Sequence, residues 1–180
     1  MDEVLMRSVY ILPTGDEIRS GTVLDLDSSE IMAQTVAKSP QAKVVRMPPA
    51  LDAEDSILAS IREIMEEKPS LIVLIGGSGG GHRFSVSLGK DFTHTALERY
   101  LSEFAEHAIY GKNGHLWTRL LCGKREETVI INVPGPFVEA QAAYAAYLNA
   151  MAAGKSLEEA SRMMAQAVYE KYPADTAQLL

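Results

Sequence analysis

Apolar residues fall along this chain in two rhythms that alternate: short unbroken runs, and runs that recur every three to four residues. Leu71-Ile72-Val73-Leu74-Ile75 is the purest short run. It is rich in β-branched residues and bounded by Pro69 and Gly76, which predicts a strand buried on both faces. Val9-Tyr10-Ile11-Leu12 and Lys43-Val44-Val45-Arg46-Met47 predict two more strands, stopped by Pro13-Thr14-Gly15 and by Pro48-Pro49. Between them, Ser28 or Ser29 caps a helix that turns Ile31, Met32 and Val36 inward. Ile57, Leu58, Ile61, Ile64 and Met65 recur at helical spacing behind the acid-rich start Asp52-Ala53-Glu54-Asp55. Strand, helix, strand, helix, strand is the signature of a parallel sheet with crossover helices.

The second half is read the same way. His82 to Lys90 carries no clear period, and Asp91-Phe92-Thr93 then leads a helix. Ala96, Leu97, Tyr100, Leu101, Phe104, Ala105 and Ala108 share one face of it, so the helix is expected to run to about Ala108. Trp117 to Cys122 and Thr128 to Val133 predict an antiparallel hairpin on the sheet edge, joined by Gly123-Lys124-Arg125-Glu126-Glu127. An alanine- and tyrosine-rich helix follows from Val138 to Ala153 and ends at Gly154. Ser156 and Glu159 then have the spacing of a capping box for a last helix to Tyr169, and the tail after Pro173 is expected to fray. The fold class is α/β: a three-layer αβα sandwich with a mostly parallel sheet and an antiparallel edge hairpin. One domain is expected over residues 1–180, with a core at 8–153 and a C-terminal helix at 156–171.

Candidate chemistry gathers where strands end. Thr14-Gly15-Asp16, Gly76-Gly77-Ser78-Gly79-Gly80-Gly81 and Pro134-Gly135 each follow a predicted strand. In a parallel sheet these breaks converge on one rim, where ligands lie. The glycine run either makes a plain tight turn or lets consecutive backbone N–H groups cradle an anion such as phosphate. It fits neither the P-loop, for lack of a following Lys-Ser or Lys-Thr, nor the dinucleotide fingerprint, since His82 stands where the last glycine belongs. Asp52 and Asp91 open helices that follow strands. Each alone suits the positive end of a helix, and together near a phosphate they suit Mg²⁺. Asp55 competes with Asp52 on composition alone.

Composition narrows the partners. The 180 residues carry a net charge of −7, which argues against nucleic acid or an anionic membrane as the main partner. The single cysteine, Cys122, excludes an internal disulfide and suits a reducing, cytoplasmic setting. No targeting segment or bilayer-length apolar run is expected. His82, His94, His107 and His115 lack zinc-site spacing, and His107 is expected on the surface of a helix. Lys112, Arg119, Lys124 and Arg125 surround the hairpin as solvated charges, with Lys112 placed to reach an anion.

Taken in order, Thr14-Gly15-Asp16-Glu17-Ile18 with Gly21 and Asp25, Asp52 with Ile57, Gly76-Gly77-Ser78-Gly79, Asp91-Phe92-Thr93 with Ala96, and Val133-Pro134-Gly135 form a recurring set. The set resembles the molybdopterin-binding domain of molybdenum-cofactor biosynthesis proteins. That resemblance implies a homotrimer, and molybdopterin, a small-molecule pterin, held at the strand rim. The ligand would be bound by Thr14, Gly15, Asp16, Gly76, Gly77, Ser78, Gly79, Gly80, Thr93, Pro134 and Gly135. In adenylylating members ATP and Mg²⁺ join the site, and an AMP group is attached to the pterin's terminal phosphate. Asp52 and Asp91 would then be both the catalytic and the metal-holding carboxylates. The chain departs from the family pattern in its longer link at His82–Lys90, in Asp27 where asparagine is usual, and in Pro136-Phe137. Two other readings stay open: a non-catalytic carrier or assembly factor, and the same fold serving another phosphorylated ligand.

Overall fold

In a computed structural model, which describes residues 6–79 and 92–180, the chain forms one seven-stranded sheet with helices on both faces. The elements run β1 (Ser8–Pro13), α1 (Asp16–Arg19), α2 (Asp27–Lys38), β2 (Lys43–Arg46), α3 (Glu54–Glu66) and β3 (Leu71–Ile75). There follow α4 (Phe92–Tyr100), β4 (Glu103–Gly111), β5 (Leu116–Arg125), β6 (Thr128–Val133), α5 (Phe137–Ala152), α6 (Leu157–Tyr169) and β7 (Ala177–Leu179). The strand order is β2-β1-β3-β6-β5-β4-β7. The first four strands pair in parallel and the remainder antiparallel. The expected α/β sandwich, mostly parallel at its centre with an antiparallel edge, is the architecture found.

Strand alternation divides the core in two. Val9, Ile11, Val73, Ile131 and Val133 face α2, α5 and α6, while Tyr10, Leu12, Ile72, Leu74 and Ile130 face α3 and α4. β3 is buried at all five positions, as its unbroken apolar run requires. On the α5 side, Tyr144 is fully buried and its hydroxyl meets the Thr35 Oγ1 at 2.6 Å, so the tyrosines of this helix are core residues.

Several local expectations are corrected. The helix beginning at Phe92 stops at Tyr100, and Phe104, Ala105 and Ala108 belong to β4. Their helical spacing is coincidental, because alternation along β4 sends His107 towards α6 and its neighbours to the opposite face. His107 therefore lies in a strand, half-buried, with its Nδ1 at 3.1 Å from the Ser161 hydroxyl. The hairpin of β5 and β6 forms, but β6 pairs with β3 inside the sheet, and β4 and β7 extend the edge beyond it. The tail does not fray completely: Ala177–Leu179 pairs with Ile109–Gly111. In α2, Thr35 takes the inward position and Val36 is 44% exposed. The Ser28 N–H donates to Asp25, so the aspartate rather than a serine serves the helix start. The capping box of Ser156 and Glu159 is present.

Candidate functional site

The strand order reverses direction between β1 and β3: the chain leaves β1 towards β2 on one side and returns to β3 on the other. Such a switch point opens a crevice at the strand carboxyl ends, because the connections on its two sides diverge. Thr14-Gly15 and Gly76-Gly77 are the residues that leave these two strands. They are tied together directly: the Thr14 N–H and its hydroxyl both donate to the Ile75 carbonyl, each at 2.9 Å. The Gly76 N–H in turn donates to Val133 at 3.0 Å, which brings Pro134-Gly135 alongside.

Pro48-Pro49 shape the third side. Prolines have no N–H, so the β1–β2 ladder lapses there. It resumes at Ala50, whose N–H donates to Pro13 and whose carbonyl accepts from Gly15. That return carries Asp52 to the rim. The Asp52 N–H donates to the Asp16 carboxylate at 3.1 Å, and the Asp16 N–H lies 3.5 Å from the Asp52 carboxylate. Both side chains are exposed, so two carboxylates stand side by side on the lip of the crevice.

The glycine loop approaches α4 as closely as a chain can. Gly77 has φ +61°, and a Cβ built there would lie 2.1 Å from the Thr93 Oγ1 and 2.7 Å from its Cβ. Only glycine tolerates both the backbone and the approach. The Thr93 hydroxyl, buried, reaches the Thr14 hydroxyl at 3.4 Å. Residues 14, 16, 52, 76, 77, 93 and 134 are thus brought together around one end of the sheet. Ser78 is buried in the same loop and Gly79, at φ +99°, continues it. Gly80, the His82–Lys90 link and Asp91 lie outside the described residues.

Two residues at this rim carry more than the sequence reading gave them. β5 and β6 pair regularly only as far as Cys122 and Ile131. Beyond that point the fully buried Asn132 side chain bridges the strands, accepting from the Leu121 N–H at 2.7 Å and donating to the Arg119 carbonyl at 2.9 Å. The Arg119 N–H is freed to donate to the Ser78 carbonyl at 2.8 Å, which anchors the glycine loop to β5. Arg119 is therefore held against the rim through its backbone N–H. Its Nε is buried and has no hydrogen-bond partner among the described residues.

Nearby electrostatics are uneven. Burial opposes ionisation of Asp25, but the Ser28 hydroxyl and N–H and the Arg46 guanidinium more than offset this and hold its carboxyl low. Among the described residues Asp27 has no such partners: burial, with the neighbouring Asp25 charge, pushes it up to about 6. Cys122 is buried, and burial pushes its thiol up to about 12, away from the reactive thiolate. Lys112 is exposed in the β4–β5 turn.

A family profile described as a probable molybdopterin binding domain matches residues 10–153. The chain belongs to this molybdopterin-binding domain family. Solved structures of similar fold include the tungsten cofactor synthesizing protein MoaB from Pyrococcus furiosus, with 11% identity and a TM-score of 0.59 over 83% of this chain and 94% of that one. The molybdopterin biosynthesis Mog protein from Mycobacterium ulcerans has 17% identity and a TM-score of 0.55 over 91% and 93%. CinA from Thermoplasma acidophilum has 15% and 0.57 over 83% and 98%. At these identities the likeness is one of fold. No curated protein sequence matches the chain. No helix among the described residues is long and apolar enough to cross a membrane.

Proposed function

We propose that the rim site binds molybdopterin and transfers an AMP group from ATP to its terminal phosphate, in a cytoplasmic homotrimer. The observation that carries the reading is the convergence of Thr14, Asp16, Asp52, Gly77 and Thr93 on the switch point of the sheet, within a chain of this family. The loop from Gly77 to Gly79 offers backbone N–H groups to the pterin phosphate, with Gly80 following in the sequence, and Arg119 offers a guanidinium suited to it. Thr14, Gly15, Thr93, Pro134 and Gly135 shape the walls.

In the transfer, an oxygen of the pterin phosphate attacks the α-phosphorus of ATP, and the bond to the β-phosphate breaks to release pyrophosphate. The chain's part is to align the two anions and neutralise charge where it builds. Asp52, with Asp91 from just before α4 in the sequence, is assigned to hold Mg²⁺. Exposed carboxylate oxygens such as those of Asp16 and Asp52 suit that ion, which binds one or two carboxylates plus phosphate oxygens. When bound, Mg²⁺ supplies Lewis-acid neutralisation of the phosphate oxygens.

Incubating the protein with molybdopterin, ATP and Mg²⁺ tests this. Adenylylated pterin and pyrophosphate are expected, and Asp52→Asn or Asp91→Asn is expected to abolish turnover while the thermal midpoint holds. Pterin binding without turnover selects the second reading, a carrier. That reading is favoured by Phe137 and Val138, 41% and 54% exposed at the start of α5 beside Gly135, an apolar lip suited to handing a ligand to another protein. Failure to bind any pterin removes both. Light scattering at three chain masses is expected for the trimer, and a monomer would remove that part.

A further inference from the structure

α4 and β4 bring together three metal-ligating groups that the rim site does not use. His94 lies in the first turn of α4, Glu98 stands one turn further along, and Glu106 projects from β4 towards the same helix. The His94 Nε2 is 2.6 Å from a Glu106 carboxylate oxygen and 3.3 Å from one of Glu98. One ligating atom from each residue lies within 4.8 Å of those of the other two. We propose that these three residues form a binding site for a divalent first-row transition-metal ion, with Zn²⁺ the type.

Proton and charge balance at the His94 Nε2 favours a metal ion. An imidazole nitrogen carries at most one proton, so Nε2 can donate one N–H while two carboxylate oxygens converge on it. Among the described residues, no lysine or arginine forms an ion pair with either glutamate. A single divalent ion satisfies all three lone pairs at once and offsets the repulsion of the two carboxylates. An imidazole nitrogen beside two carboxylate oxygens is a donor set that suits Zn²⁺ and its neighbours better than Mg²⁺ or Ca²⁺.

The setting is also that of a built site. The His94 side chain is only 2% exposed, while those of Glu98 and Glu106 are 42% and 35% exposed, so the nitrogen is fixed and the carboxylates leave a path from solvent. Histidine and glutamate four apart share one face of a helix, and the third ligand comes from a strand of the sheet, so both supports are rigid. Three protein ligands leave a coordination position open to water. The cluster sits over β4, three strands along the sheet from β3, and is distinct from Asp16 and Asp52.

Isothermal titration of the metal-free full chain with Zn²⁺ tests the proposal, alongside Glu98→Gln, Glu106→Gln and Asp52→Asn. Both glutamine variants change exposed groups at constant size, and circular dichroism checks that they fold. One Zn²⁺ per chain is expected, with affinity falling at least the roughly 10–100-fold that loss of even an outer-shell partner costs in each glutamine variant. Asp52→Asn is expected to bind Zn²⁺ as the parent does. Absence of stoichiometric binding, unchanged affinity in either glutamine variant, or loss of binding in Asp52→Asn overturns the site. None of these readouts depends on a pterin, so the proposal stands or falls apart from the rim reading.

Discussion

The parallel half of the sheet, β2-β1-β3-β6, and the antiparallel half, β5-β4-β7, are built from the same material to different ends. In the parallel half, the buried strands β1, β3 and β6 and the more exposed β2 all point their carboxyl ends at one rim, and every break after a strand delivers a polar group there. In the antiparallel half, successive strands alternate in direction, so their turns scatter to both ends of the sheet. The difference teaches that the candidate ligand site follows from strand direction and needs only a few side chains to complete it. The antiparallel half contributes by buttressing the rim through Arg119 and Ser78.

The largest expected effect comes from breaking the parallel rim itself. Gly77→Ala imposes a left-handed backbone on a residue with a side chain and drives its Cβ into Thr93. A loss of about 3 kcal/mol is expected from strain and overpacking together, read by urea unfolding, with loss of pterin binding at temperatures where the variant is still folded. An unchanged midpoint would mean that the loop and α4 are not in contact.

Next comes the seam between the halves. Asn132→Ala leaves the Leu121 N–H and Arg119 carbonyl without their partner. A loss of about 2 kcal/mol is expected, since each buried group left unpaired carries a desolvation cost. Amide exchange should quicken at Leu121 more than at Val73, because β3 lies wholly within the parallel half. Equal quickening in both strands would show that the two halves do not respond separately.

The smallest effect sharpens the comparison from the α2 side. With Asp27 raised from an ordinary value of 3.8 to about 6, the folded chain holds a proton that the unfolded chain has already lost. Stability therefore declines as pH rises from about 4 to 6 and stays lower above that. Asp27→Asn is expected to add about 1 kcal/mol above pH 6, after allowance for screening of a half-exposed carboxylate, and nothing below pH 4. A gain independent of pH would assign the effect to some other cause.

The same division governs what could be read from the residues alone. Strands buried on both faces announce themselves, so β1 and β3 were legible, as was the short β2 before Pro48-Pro49, and with their glycine and proline endings the rim. Phe104, Ala105 and Ala108 were misassigned because a strand with one partly solvated face shows weak alternation, and three apolar residues at helical spacing matched the preceding helix better. β7 escaped because three residues hold as a strand only against β4, a partner no local pattern reveals. The neighbouring carboxylates of Asp16 and Asp52 depend on where pairing resumes after Pro48-Pro49, which is a matter of register rather than motif. Arg119 was visible as a charge but not as a rim residue, since that placement depends on Asn132.

Asn132 has a consequence for how the fold can vary. Where an amide side chain supplies the rungs, two strands stand one residue's reach further apart and remain stitched. The interval is therefore adjustable by the length of that side chain, as a spacer sets a joint. A relative with an apolar residue at this position would have to find other partners for the Leu121 N–H and the Arg119 carbonyl, and the anchor of the glycine loop would loosen with them.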